Sequence, residues 1–203
     1  MALALILLVG AALVALATGG RWAALANLPV RGRSLVLVAV IAQIVGGVLA
    51  RITDRHGFYP AGLAISAVAG LAFCLRNIRL AGVPLVTLGL LCNALVVLLN
   101  GAMPVSAAAA ARANVPTGQI ASGSDARHGI ADAGTTWRWL GDVIPAPLPW
   151  RPEVVSPGDA LIAAGLGEFV LLGLRPRRRT GVVAESDVDT EAGATAPGSV
   201  VTT

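Results

Sequence analysis

Charged residues are scarce in this chain, and lysine is absent altogether. Only 13% of its 203 residues are charged, the 15 basic residues are all arginine, and the mean hydropathy is +0.77. Soluble domains carry about a quarter charged residues. Half that fraction argues against a soluble enzyme, a nucleic-acid-binding protein and a disordered regulator, and it indicates a membrane protein. The net charge of +4 is too small for a surface that binds polyanions.

Cysteine and histidine are also rare, with two of each. Cys74 and Cys92 fall on different predicted helices at depths that differ by roughly 10 Å, which excludes a disulfide and predicts free thiols. His128 lies near three aspartates in sequence, but no H-x-x-x-H or C-x-x-C spacing accompanies it. We therefore predict no metal and no cofactor, and we interpret His128 as a solvated side chain.

Five apolar stretches come close to the roughly 20 residues that a helix needs to cross a bilayer. They span residues 1–18, 34–50, 58–75, 83–100 and 159–174. The first has no positive charge before its apolar run, so we interpret it as a span rather than a signal peptide. The prediction is an all-α integral membrane protein with a five-helix transmembrane bundle.

The distribution of arginines predicts how this bundle is oriented in the membrane. Nine of them fall in the short connections on one side of the predicted bundle or directly after its fifth span. Because basic residues accumulate on the cytoplasmic side, the amino terminus is predicted to face out and the carboxyl terminus in. The predicted location is the inner (cytoplasmic) membrane of a bacterium, with multiple passes.

The orientation divides the chain into four parts. Residues 1–100 hold transmembrane helices 1–4, residues 101–158 form a small extracytoplasmic cap, and residues 159–174 form transmembrane helix 5. Residues 175–203 are a cytoplasmic tail, first basic and then acidic, that lacks aromatic residues and is predicted to be disordered.

Within the cap, the sequence predicts several local features. Ser106 can cap a short surface helix in the alanine run that follows it, and residues 113–134 are predicted to be mobile. The tryptophans Trp137 and Trp139 are expected at headgroup level. Four prolines between residues 145 and 152 exclude a helix and favour extended backbone up to Ser156.

Most polar residues at the cap end have a structural interpretation beside a functional one. Ser156-Pro157-Gly158-Asp159 matches a capping box, so Asp159 is explained without catalysis. Asn100-Gly101 can end a helix, with glycine in the left-handed conformation. Asp142 is the outer carboxylate that we consider first as a site residue, although an acid beside a turn glycine usually bonds backbone amides.

Glu168 is the one ionisable residue deep within a predicted span. Its expected partners at similar depth are the amides of Gln43 and Asn93, and desolvation there favours a neutral acid that could relay protons. Interhelical hydrogen bonding is the simpler interpretation, and we favour it because no second ionisable residue continues a relay.

The spacing of the motifs resembles a family of small bacterial membrane proteins catalogued as a domain of unknown function. The resemblance covers residues 1–174 and is carried by Asn77, Gly82, Gly89, Asn93, Asn100-Gly101-Ala102-Met103-Pro104-Val105-Ser106, Arg127-His128, Thr136, Leu140-Gly141-Asp142-Val143-Ile144-Pro145 and Ser156-Pro157-Gly158-Asp159. It implies a polytopic membrane protein without an assigned activity. The chain departs from the family pattern at Ala102, where a second glycine is frequent, and at Glu168.

Two functional hypotheses follow. The first is a non-enzymatic accessory or scaffolding protein, held in the lipid bilayer beside a membrane-protein partner of unidentified kind and binding no nucleic acid. The second is a small membrane enzyme or transporter with an outward-facing polar pocket. The candidate pocket or motif residues are Asn93, Asn100, Gly101, Pro104, His128, Thr136, Asp142, Asp159 and Glu168. A pocket requires the side chains of His128, Asp142 and Asp159 to converge, whereas a scaffold leaves each bonded to backbone.

Overall fold

The computed structural model describes residues 2–53, 58–122, 125 and 127–175, and most of these residues are helical. The longer helices are α1 (Ala2–Ala17), α3 (Arg33–Thr53), α4 (Phe58–Arg76), α5 (Val83–Asn100) and α8 (Pro157–Gly173). A short helix, α2 (Trp22–Ala26), follows α1. The five predicted apolar stretches are therefore confirmed as helices. Of the predicted tail, all but Arg175 lies outside the described residues.

One described helix, Val83–Asn100, is long and apolar enough to cross a membrane by length and composition. The apolar helical stretches Ala4–Ala17, Arg33–Leu49 and Ala61–Arg76 are shorter. Length and composition thus identify one candidate span where the sequence predicts five.

Helices α5 and α8 cross in close contact because glycines face each other between them. A Cβ atom built on Gly89 would meet the backbone of Gly158 and lie 2.8 Å from Cγ1 of Ile162. A second such approach joins Gly82 and Gly165. Small residues let helix backbones approach, and here they bring Asn93 of α5 against the first turn of α8.

Helix α1 packs on the other side of α8, while α3 and α4 form an antiparallel hairpin with Gly46 against Gly62. The end of this hairpin is closed by Asn77, which is buried. Its side chain accepts a hydrogen bond from the Arg31 amide and donates to the Arg31 carbonyl, both at 2.8 Å. Cys74 and Cys92 are free thiols, as predicted.

Between α5 and α8 the chain folds into a small cap that contains strands as well as helices. Strand β1 (Met103–Val105) pairs in parallel with β2 (His128–Ile130), and β3 (Ile144–Ala146) pairs antiparallel with β4 (Glu153–Val155). Helices α6 (Ala107–Ala113) and α7 (Gly118–Ala121) and a 3-10 turn, Arg138–Leu140, complete it. The extended backbone expected around the prolines is confirmed in β3 and β4.

Two expectations for this region need correction. The protein is not all-α, because four short strands organise the cap. The alanine helix α6 is capped by Ser106 as predicted; Ala109, Ala110 and Ala113 are fully buried where it packs on β3 and β4, and its other face is exposed. Residues 113–134, expected to be mobile, contribute α7 and β2.

The tryptophans expected at headgroup level are partly exposed on the cap. Trp137 and Trp139 stack on each other with ring centroids 6.3 Å apart, and their exposed fractions are 48% and 62%. Leu140, 5% exposed, is the residue of this turn that enters the cap.

Candidate functional site in the cap

Strand β1 brings together two segments that are distant in sequence. On one side it pairs with β2, where Met103 is opposite His128. On the other, the Asp142 amide donates to the Pro104 carbonyl at 2.8 Å, and the Asp142 carbonyl accepts from the Ser106 amide at 2.9 Å. Gly141 is required for this approach, because a Cβ there would collide with the Pro104 backbone. The site residues His128 and Asp142 therefore meet through β1.

The His128 ring lies between two carboxylates. Its Nδ1 is 2.9 Å from Oδ2 of Asp125, a hydrogen-bond distance, whereas its Nε2 is 3.8 Å from Oδ2 of Asp142. The first contact fixes the ring, and the second is too long for a direct hydrogen bond. The His128 side chain is 30% exposed and that of Asp142 is 8% exposed. The ring, interpreted from the sequence as solvated, is thus partly exposed and is held by Asp125.

A second set of hydrogen bonds ties the first turn of α8 to α5. The Asn93 side chain donates to Oδ1 of Asp159 at 2.8 Å and accepts from the Ser156 hydroxyl at 2.9 Å. Ser156 and Asp159 also form the predicted capping box. The capping interpretation of Asp159 is confirmed, but its carboxylate has an additional partner in Asn93.

The negative charge of Asp159 acts on the carboxylate of Asp142 and affects its protonation. Burial, reinforced by the negative charge of Asp159, raises the pKa of Asp142 from 3.8 to about 7. Asp125 behaves in the opposite way: although burial alone would raise its pKa, hydrogen bonds from the Arg127 amide and the His128 ring lower it. Two carboxylates on either side of one histidine therefore have pKa values shifted in opposite directions.

We call these six side chains the cap cluster: Asn93, Asp125, His128, Asp142, Ser156 and Asp159. An acid that titrates near neutrality beside an oriented imidazole can exchange protons at physiological pH. The Ser156 hydroxyl already donates to Asn93 and accepts from the Asp159 amide, and the residue is fully buried, so it is unsuited to act as a nucleophile. In the described part of the chain, no three His, Cys, Asp or Glu side chains are arranged to hold a metal ion.

The remaining motif residues at this end lie where α5 meets the cap. Gly101 ends α5 in the left-handed conformation with φ of 77°. The Asn100 side chain donates to the carbonyls of Val96 and Thr136 and accepts from the Thr136 amide. Pro104 is buried in β1. Asn100 thus joins the cap to α5 through the backbone of Thr136.

Glu168 does not belong to the cap cluster. It follows Asp159 by nine residues on α8, about 13 Å further along the helix, and its side chain is half-buried. The predicted group of Glu168, Gln43 and Asn93 does not form: Asn93 bonds Ser156 and Asp159, and Gln43 is exposed.

Sequence reasoning missed the role of Asp125. It lies three residues before His128, a spacing that allows a local hydrogen bond between the two side chains. The signal that could have revealed it is this short spacing directly before a strand. The extra role of Ser156 had no sequence signal, because its partner Asn93 is 63 residues away.

Together these features define a mostly helical protein whose cap holds a titratable polar cluster over the ends of α5 and α8. Comparison with known families shows which family the chain belongs to. A model of the family described as "Family of unknown function (DUF5317)" matches residues 27–171, and the chain belongs to this family. The match includes the cap cluster and begins after α1, whereas the resemblance was expected from residue 1. No curated protein and no solved structure matches the chain.

Proposed function

We propose that this chain is an integral membrane protein that crosses a lipid bilayer five times, through α1, α3, α4, α5 and α8. The observation that carries the proposal is the exposure of large apolar side chains along α1, α3, α4 and α5. Leu13 on α1 and Leu37 on α3 are each 62% exposed, Val68 on α4 is 70% exposed and Leu98 on α5 is 81% exposed. Soluble monomers rarely expose apolar surface so continuously, whereas lipid tails cover it.

The proposed orientation, with the cap outside and the carboxyl terminus inside, follows from the arginines. The end of the bundle opposite the cap holds Arg21, which bonds the Leu174 carbonyl through its amide. It also holds Arg31, bonded through its backbone to Asn77, and Arg76 beside Gly32. We call this the basic end. Basic residues of short connections favour the cytoplasmic side.

Site-directed labelling tests this topology. In a variant with both native cysteines replaced by alanine, Gly118→Cys places a thiol in open space on the cap, and Arg33→Cys places one at the basic end. A membrane-impermeant maleimide added to intact cells should label position 118 and should label position 33 only after permeabilisation. The reverse pattern, or equal labelling of both, would contradict the proposal.

For the biochemical role we favour a non-enzymatic accessory or scaffolding component of the membrane. Most motif residues act on the fold itself: Asn100 and Gly101 end α5, Ser106 caps α6, and Ser156 with Asp159 begins α8. The stacked tryptophans give the cap an exposed aromatic patch, and aromatic residues are enriched at interfaces with partners. A stoichiometric partner should co-purify in mild detergent and should be lost in the double variant Trp137→Ala, Trp139→Ala.

The second candidate is a membrane enzyme or transporter with an outward-facing polar pocket. It is favoured by one observation: the carboxylate of Asp142 lies 3.8 Å from the His128 ring, and the charge of Asp159 helps to raise its pKa. Under this hypothesis Asp142→Asn abolishes activity in cells while the protein remains folded, since the substitution removes a proton donor and preserves shape. An accessory protein with an intact tryptophan patch should tolerate the same substitution.

A further inference from the structure

A groove opens at the basic end, away from the cap cluster. Its volume is about 610 Å³, and it lies between α2, the turn that precedes α5, and the last turn of α8. Its polar lining consists of Arg79, Arg175 and Asn27. The rest of the lining is apolar and includes Leu28, Leu80 and Phe169. The groove therefore combines cations with an apolar wall.

The two arginines come from different parts of the chain and flank the same space. Arg79 lies in the turn after α4, and Arg175 lies directly after α8. Both side chains are exposed, and no hydrogen bond or ion pair joins either guanidinium to an acidic side chain within residues 2–53, 58–122, 125 and 127–175. Two guanidinium groups that have no acidic partner among the described residues suit an external anion, and phosphate oxygens match their geometry.

We propose that this groove binds an anionic phospholipid of the cytoplasmic leaflet. Arg79 and Arg175 bind the phosphate group, and one acyl chain lies along Leu80, Phe169 and Leu172. The inference rests on the proposed membrane insertion, in which the basic end meets the anionic leaflet. Basic pockets between helices on this side of a membrane are suited to acidic headgroups.

The lining favours a lipid over free phosphate. A site for inorganic phosphate would surround the anion with donors, whereas here a single neutral polar side chain, that of Asn27, accompanies the two arginines in the groove. Leu172 is 40% exposed at the groove, so the apolar wall is open to an acyl chain. On α2, Trp22 is 58% exposed, as expected for a tryptophan at headgroup level.

The test measures lipid retention by the full chain. Protein reconstituted in vesicles of equal phosphatidylglycerol and phosphatidylcholine is extracted in mild detergent, and bound lipid is counted by native mass spectrometry. We expect one phosphatidylglycerol to be retained preferentially. Arg79→Gln and Arg175→Gln should each weaken retention roughly fivefold. Ala24→Trp, which fills the groove and keeps both arginines, should also displace the lipid.

Arg33→Gln is the matched control, since it removes the same charge from the same end without lining the groove. Equal retention of the two lipids, an equal loss in Arg33→Gln, or displacement of the lipid by millimolar inorganic phosphate would overturn the inference. Alkaline extraction of the same membranes separates this failure from that of the proposed function. A chain that resists extraction but retains no phosphatidylglycerol refutes only the groove, whereas a chain released by alkali refutes membrane insertion itself.

Discussion

The two ends of the helical bundle handle polar groups in opposite ways. At the cap end, Asn93, Ser156 and Asp159 satisfy one another through hydrogen bonds, and the His128 side chain is 30% exposed to solvent. At the basic end, Arg79 and Arg175 remain exposed around an open groove. Polar side chains at the cap end thus bond to partners inside the protein, whereas the two arginines at the basic end face the surroundings of the protein.

The largest expected effect comes from separating the helices that support the cap cluster. Gly89→Leu places a side chain where the backbone of Gly158 already lies, so α5 and α8 must move apart. We expect a loss of about 4 kcal/mol or more in the free energy of unfolding, together with loss of the Asn93 hydrogen bonds. Thermal unfolding in detergent measures it.

Gly47→Leu is the control for this variant, because nothing lies within 4 Å of a Cβ at that position of α3. It should unfold within a few degrees of the wild type. Equal destabilisation by the two substitutions would contradict the argument that α5 and α8 are too close at Gly89 to accept a side chain.

The second effect is a dependence on pH that only the cap end should show. Asp142 has a folded pKa of about 7, above its ordinary value of 3.8, so between these limits the folded protein holds a proton that the unfolded chain releases. Stability therefore falls by about 4 kcal/mol as pH rises from about 4 to about 7, and then levels off. Asp142→Asn should remove this fall, as measured by unfolding midpoints at several pH values.

The exposed aspartate of the cap, Asp132, provides the comparison for the pH experiment. Asp132→Asn should leave the wild-type pH profile unchanged. A wild-type profile that is flat or rises over this interval would contradict the burial argument for Asp142.

The smallest effect is expected at the tryptophan patch. Trp139 is 62% exposed and contacts Trp137, so Trp139→Ala should change the free energy of unfolding by less than about 0.5 kcal/mol. Chemical denaturation in detergent measures this change in the free energy of unfolding. A loss above about 2 kcal/mol would contradict this expectation and show that Trp139 stabilises the cap.

The helices were predictable because their signals are local. The α5 boundaries at residues 83 and 100 follow from Gly82, Pro84 and Gly101, and the capping box places the start of α8 to within two residues. The pairing of the strands was not predictable, because three residues carry no periodic pattern and β1 pairs with a segment 25 positions away. The same limit applies to the site: the candidate residues were recognised individually, but their convergence depends on that pairing.

The capping box of α8 also sets the order in which the protein can mature. Asp159 and Ser156 are the partners of Asn93, yet they are synthesised more than 60 residues later. In a nascent chain that ends before them, the Asn93 side chain on α5 lacks these partners, and the cap lacks its contact with the first turn of α8. Synthesis of the final long helix is therefore the step that closes the outer end, and truncation before it should leave a substrate for quality-control proteases rather than a smaller folded protein.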